Sequence, residues 1–98
     1  MSTRGSIKDM VLYKKEGKSI NVLFAEGFMA VGIGLLANQK LEKHSTATPA
    51  FLLVLEGSVE FQIDGTKCIL NSQDFVKIPP SQEHEITALE NSKMILIK

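Results

Sequence analysis

One short segment of the chain restricts its fold more than any other. Residues 58–63, SVEFQI, alternate apolar and polar side chains, which is the period-two pattern of a β-strand with one buried face. Asp64 and Gly65 follow at once, and this pair favours a two-residue hairpin turn. The next residues, TKCIL, are typical of the returning strand. The segment therefore predicts a β-hairpin with one apolar face directed at a core.

Further short strands are predicted along most of the remaining chain. They are INVLF, GFMAVGIGLL, FLLVLE, FVKI, HEITAL and MILIK, separated by turns that are mostly short. IKDMVLY fits a short strand or one helical turn, and we favour the strand. The absence of helical periodicity with caps leaves an all-β sandwich or barrel. We expect one domain over residues 1–98, with residues 1–6 as a flexible tail.

Three small residues lie inside predicted strands. Gly32 and Gly34 interrupt GFMAVGIGLL, and a glycine in a strand marks a bulge, a bend, or a close approach of backbone or ligand. We expect tight packing of the sheet at a barrel corner. Cys68 is the only cysteine, so an intrachain disulfide is excluded. We expect its thiol to be a buried apolar group rather than a nucleophile.

Composition and charge exclude several classes of partner. The chain has 98 residues, of which 44% are hydrophobic, and this suits a single modest core. Lys plus Arg and Asp plus Glu both number 11, so no basic surplus is available for nucleic acid or an anionic membrane. The start of the chain lacks the apolar core of a signal peptide, and no segment reaches the roughly 20 apolar residues of a membrane helix. We expect a cytoplasmic protein that contacts neither nucleic acid nor membrane.

Two predicted strands are apolar on both faces. In FLLVLE and in MILIK, odd-numbered and even-numbered positions alike carry large apolar side chains. Because neighbouring residues of a strand point to opposite faces, only one of these faces can fill the barrel. Another segment or another subunit must cover the second face, and we expect a homodimer that uses outer faces of this kind.

The segments KHSTATPAFLLVLEGSVEFQIDG and DFVKIPPSQEHEI together resemble the two signature motifs of the cupins. The first resembles a pattern in which a His-x-His pair and a glutamate precede a strand that ends in Leu-Glu-Gly. The second resembles Gly-Asp, a strand, Pro-x-Gly and a histidine. The resemblance covers residues 40–98. It implies a double-stranded β-helix, a jelly-roll barrel of two antiparallel sheets.

The resemblance also implies a site inside the barrel, and this sequence departs from it. Most cupins supply three histidines and one glutamate to a metal. His44 matches the first histidine and His84 the last, but Thr46 stands in place of the second histidine and Ala50 or Pro49 in place of the glutamate. A hydroxyl is a weak ligand for transition metals, and two imidazoles make an incomplete site. We expect no cofactor, with a divalent transition metal at His44 and His84 as the alternative.

Three functions are consistent with these residues. The first is binding of a small molecule in the barrel interior by His44, Thr46 and His84, since two imidazoles in an apolar pocket have the general form of such a site. The second is a metal-dependent or histidine-dependent enzyme of the oxygenase, isomerase or lyase type, whose catalytic residues the sequence does not identify. The third is a non-catalytic dimeric scaffold. We rank them in this order.

Overall fold

The computed structural model describes residues 3–98, and the elements in this range are nine strands and one short helix. In chain order they are α1 (Ile7–Met10), β1 (Ser19–Glu26), β2 (Phe28–Leu35), β3 (Lys40–His44), β4 (Ala50–Glu56), β5 (Ser58–Ile63), β6 (Thr66–Asn71), β7 (Phe75–Ile78), β8 (His84–Ala88) and β9 (Ser92–Ile97). A five-stranded sheet has the order β1-β2-β9-β4-β7, and a four-stranded sheet has the order β3-β8-β5-β6. All pairs are antiparallel, so the predicted all-β jelly roll is confirmed.

The core lies between the two sheets and follows the alternation of the strands. Leu52 and Val54 of β4 are buried, while the intervening Leu53 is only half-buried. In β5 the same alternation buries Val59 and Phe61 completely. Strands from both sheets contribute to one cluster of packed apolar side chains, so the barrel interior is filled along most of its length.

The hairpin between β5 and β6 forms as predicted. Ile63 pairs with Thr66, and the two turn residues Asp64 and Gly65 both have positive φ angles, 49° and 75°. Two successive positive φ angles are those of a type I′ turn, which matches the twist of the flanking strands.

The prediction for Cys68 is wrong, because this residue is exposed. Cys68 pairs with Phe61 and therefore faces the same way as that buried ring. However, β6 is the edge strand of its sheet, and burial requires a covering element as well as the right face.

The segment IKDMVLY is not a strand. Residues 7–10 form the helical turn α1, and the chain then runs in extended form over the outer face of the five-stranded sheet. Residues 7–13 are called the N-terminal cover below. Within this cover the side chain of Val11 is fully buried, although it lies outside the barrel. The two edges of this sheet are β1 and β7, and residues 7–13 form no strand beside either of them.

Gly32 and Gly34 leave room for the N-terminal cover to pack closely on β2. The expectation that they mark a barrel corner is therefore wrong. A Cβ atom added to Gly32 would collide with Cγ2 of Val11. One added to Gly34 would lie 2.5 Å from the backbone oxygen of Leu12. Gly34 thus marks a close approach of backbone, the alternative that the sequence had left open, while Gly32 makes room for a side chain.

Polar contacts fix the end of the cover and the loop that follows it. The Tyr13 hydroxyl donates to Oε2 of Glu56 at 2.7 Å, and Nζ of Lys93 lies 5.2 Å from the centre of the Tyr13 ring. The side-chain amide of Gln39 donates to the Lys14 carbonyl at 2.8 Å. The chain itself therefore covers part of the second apolar face.

The predicted tail, residues 1–6, falls partly on residues 1 and 2, which lie outside the described residues. Residues 3–6 are exposed, and the Ser6 carbonyl accepts hydrogen bonds from the backbone of Asp9 and Met10. Within residues 3–98, no helix has the length and apolar character needed to cross a membrane.

Candidate functional site

The two histidines of the chain lie side by side. His44 is the last residue of β3 and His84 is the first of β8, and the antiparallel register of these strands pairs the two positions directly. Their ring centres are 4.3 Å apart, with a tilt of 59° between the planes. Residues forty positions apart are thus neighbours because the jelly roll joins β3 and β8 at one end of the four-stranded sheet.

Each imidazole is held by its Nδ1 atom. Nδ1 of His44 lies 2.8 Å from the carbonyl oxygen of Glu42, and Nδ1 of His84 lies 3.1 Å from that of Gln82. A carbonyl can only accept a hydrogen bond, so both Nδ1 atoms carry the proton. In the neutral rings, Nε2 then presents its lone pair, and the pair offers two adjacent hydrogen-bond acceptors.

Burial keeps the inner imidazole uncharged. His84 is only 2% exposed, and this desolvation lowers its pKa below the usual value. The Gln82 carbonyl opposes the shift, while a positive charge on His44 adds to it. The ring of Phe61 also packs near His84, with a centre-to-centre distance of 5.9 Å. His84 is therefore neutral at physiological pH, and His44 is only half-buried beside it.

Thr46 lies two residues beyond His44, in the loop before β4, and is engaged with that loop. Its Oγ1 donates to the Thr48 carbonyl at 2.7 Å, and its own carbonyl accepts from the backbone of Ser81 at 2.7 Å. Thr46 lines an open cleft of about 680 Å³ between the β1–β2 turn and residues 45–48. Phe28, Met29 and Lys98 are other walls of this cleft, and neither imidazole is among its lining residues.

The charged neighbours of the histidines point away from them. Lys43, Glu83 and Glu85 line a separate hollow of about 330 Å³ on the outside of the four-stranded sheet. This placement follows the strand parity that the sequence predicts, since residues adjacent to an inward-facing histidine face outward. None of these carboxylates therefore substitutes for the glutamate of the cupin motif.

Comparison with protein families agrees with the fold and the motifs. The model of the cupin domain family matches residues 35–97 of this chain. The chain belongs to the cupin family. No curated protein matches the sequence significantly.

Solved structures of other proteins have the same fold as this cupin. A cupin superfamily protein from Desulfitobacterium hafniense superimposes with a TM-score of 0.89 at 15% identity, covering 100% of this chain and 92% of that one. A conserved protein with a double-stranded β-helix domain from Klebsiella pneumoniae gives 0.89 at 17% identity, with coverages of 99% and 89%. A conserved protein of unknown function from Streptococcus pyogenes gives 0.86 at 18% identity, with coverages of 99% and 86%. At these identities the likeness establishes the fold alone.

The residues of this cupin do not fit the metal that the family pattern implies. Across residues 3–98, no group of three or more His, Cys, Asp and Glu side chains is arranged to hold a metal ion. His44 and His84 offer two Nε2 atoms, and Thr46 has its hydroxyl on a backbone carbonyl. Ala50 is buried in the core and has no donor atom. The groups at this site that can act on a ligand are therefore the two imidazoles.

The sequence did not single out the walls around the predicted site residues. Phe61 packs on His84, and strand parity in SVEFQI already placed this ring inside the barrel. The cleft beside Thr46 is lined by Phe28 and Met29 and by Lys98, which are about 70 positions apart in the sequence. Only the pairing of β2 with β9 brings them together, and no local pattern encodes that pairing.

Proposed function

We propose that this cupin binds a small molecule at the end of the barrel where His44, His84 and Thr46 lie, without a complete metal site. The observation that carries the proposal is the imidazole pair. Two rings 4.3 Å apart, each fixed through Nδ1, hold their Nε2 atoms in place before any ligand arrives. Preorganised polar groups against apolar walls are the usual composition of a small-molecule site.

The chemistry of the pair favours a hydroxylated ligand. Neutral Nε2 atoms accept hydrogen bonds, so the matching ligand groups are hydroxyls or N–H donors. The cleft beside Thr46 is lined by Lys98, whose side chain is cationic, and by the apolar residues Phe28 and Met29. A small hydroxy-carboxylic acid would satisfy both features, with its hydroxyl on an imidazole and its carboxylate near Lys98.

Thermal unfolding in the presence of small hydroxy acids and polyols tests this proposal. A ligand at about 100 times its Kd adds about 2.7 kcal/mol to stability, which raises Tm by roughly 10–20 °C for a domain of this size. We expect the shift in the presence of EDTA as well, because the proposed contacts need no metal. His84→Gln and His44→Gln should abolish it.

Glu85→Gln is the matched control, since this side chain faces the opposite side of the same strand. It should leave the shift unchanged. Circular dichroism spectra of all variants establish that they are folded. The proposal is refuted if no member of the panel shifts Tm, or if the shift survives both histidine substitutions.

One observation favours a second candidate, a non-catalytic scaffold. The space between the sheets is occupied by a continuous cluster of buried apolar side chains, among them Phe61, Leu52 and Met94. A filled interior leaves the ligand only the end of the barrel. The scaffold predicts no shift in the thermal assay with any hydroxylated ligand, so the same experiment separates the two functions.

A further inference from the structure

The side chains on the inner face of the four-stranded sheet lie in rows, and the histidines belong to the row nearest the end of the barrel. His84 pairs with His44 on one neighbouring strand and with Ile63 on the other. The next row along the barrel consists of Leu41, Ile86 and Phe61. Along β5 and β8 these two rows are two residues apart, which is about 7 Å. The row that contains Phe61 therefore lies directly beneath the imidazoles.

Phe61 forms the floor of the histidine site. It is completely buried, and its ring centre lies 5.9 Å from that of His84, with 28° between the two planes. The second ring in contact with His84 is that of His44. Phe61 is the only aromatic residue of its row, so its ring fills the space beneath His84 that a ligand would otherwise enter.

The row beneath Phe61 is occupied by core side chains. It consists of Val59, Leu70 and Ala88, and all three are buried. They belong to the same packed cluster as Phe61. Because a core packed at native density resists even one additional methylene group, a ligand cannot extend below the Phe61 ring without displacing it. A ligand bound at the imidazoles is therefore confined to the end of the barrel.

We propose that Phe61 is the residue that determines ligand length and that it restricts the site to short α-hydroxy carboxylic acids. This inference rests on the proposed function, in which the ligand hydroxyl lies on an imidazole and the carboxylate lies near Lys98. The alkyl group on the same carbon atom is then directed at the Phe61 ring. A hydrogen atom or a methyl group fits above this ring, whereas a longer alkyl chain collides with it.

The effect of Phe61 on chain length has a definite magnitude. Each methylene group that a ligand buries in an apolar space raises its affinity by about fourfold. The wild-type site cannot provide this gain, because the space beneath the imidazoles is already filled. Phe61→Ala vacates the volume of the phenyl ring, so the affinity of this variant should rise with each methylene group until that volume is filled. The substitution therefore reverses the order in which the acids bind.

Isothermal titration calorimetry of the full chain with glycolate, lactate, α-hydroxybutyrate and α-hydroxyhexanoate tests this proposal. For the wild type, we expect the affinity to fall by about tenfold or more from lactate to α-hydroxyhexanoate. For Phe61→Ala, we expect α-hydroxyhexanoate to bind more tightly than lactate, again by about tenfold or more. Phe61→Val opens a smaller space with less loss of stability, and it should bind α-hydroxybutyrate more tightly than lactate.

Leu35→Ala is the matched control, because Leu35 is fully buried but lies at the other end of the barrel, where it pairs with Ser92 at the start of β9. This variant should keep the wild-type order of the acids, and circular dichroism establishes that each variant is folded. A wild-type affinity that rises steadily with chain length overturns the proposal.

An order of the acids that Phe61→Ala and Phe61→Val leave unchanged also overturns the proposal. Both of these results leave the proposed function intact, since the acids still bind. A wild-type chain that binds none of the four acids contradicts the proposed function itself, and the inference about Phe61 fails with it.

Discussion

The contact between Val11 and Gly32 supports a quantitative prediction about how the N-terminal cover is held. Val11→Ala removes two buried methyl groups, each contributing about 0.8 kcal/mol, so the loss with its small cavity is about 2 kcal/mol. Gly32→Ala places a Cβ against Cγ2 of Val11 and should cost about 1–3 kcal/mol through overpacking. If the effects were independent, the double variant would lose about 3–5 kcal/mol.

We expect instead that the double variant loses only about 2 kcal/mol, because the new methyl group occupies the space that Cγ2 leaves. The next neighbour of that Cβ, Leu23, is at an ordinary contact distance of 3.4 Å. Urea unfolding of the wild type, both single variants and the double variant measures the coupling. Gly34→Ala is the control, since its obstacle is the backbone oxygen of Leu12, which Val11→Ala does not remove. Additive losses for Val11→Ala and Gly32→Ala would refute direct packing of Val11 on Gly32.

Three further predictions concern titration, exposure and the hairpin. Because burial lowers the pKa of His84, the unfolded chain binds more protons than the folded one between the depressed folded value and about 6.5. Stability should therefore fall as the pH drops below about 6.5 and level off below the folded pKa, and His84→Gln should flatten this dependence in urea unfolding. Cys68 is exposed, so one thiol per chain should react rapidly with a disulfide reagent in the native protein; protection until unfolding would contradict its placement. Gly65 has φ of 75° and open space around it, so Gly65→Ala should cost about 1–2 kcal/mol from backbone strain alone, and an unchanged urea midpoint would argue against the type I′ turn.

The sequence predicted most strands because their signals are local. The alternation in SVEFQI and the Asp64–Gly65 pair required nothing beyond neighbouring residues, and the hairpin formed with the expected register. β3 was not predicted as a strand, since LEKH has one buried apolar residue, Leu41, and pairs only with β8. Cys68 was misplaced for a related reason, because local alternation gives the face of a side chain but not what covers that face.

For the candidate site, too, the sequence predicted some features and the tertiary structure supplied others. Motif resemblance drew attention to His44 and His84, and the loss of ligands at Thr46 and Ala50 was visible in the letters themselves. The 4.3 Å separation of the imidazoles, the two Nδ1 anchors and the lowered pKa of His84 depend on the pairing of β3 with β8. That pairing closes a loop of forty residues, and no local pattern encodes it.

The residues by themselves determined an all-β chain, its main turns, and an incomplete set of metal ligands. The tertiary structure decided what covers the two-faced strands. Gly32 and Gly34 signalled a close approach, but only the folded chain shows that Val11 and Leu12 supply it. The physical reason is that alternation fixes which way a side chain points, whereas burial depends on a second surface that arrives from a distant part of the chain or from another copy of it.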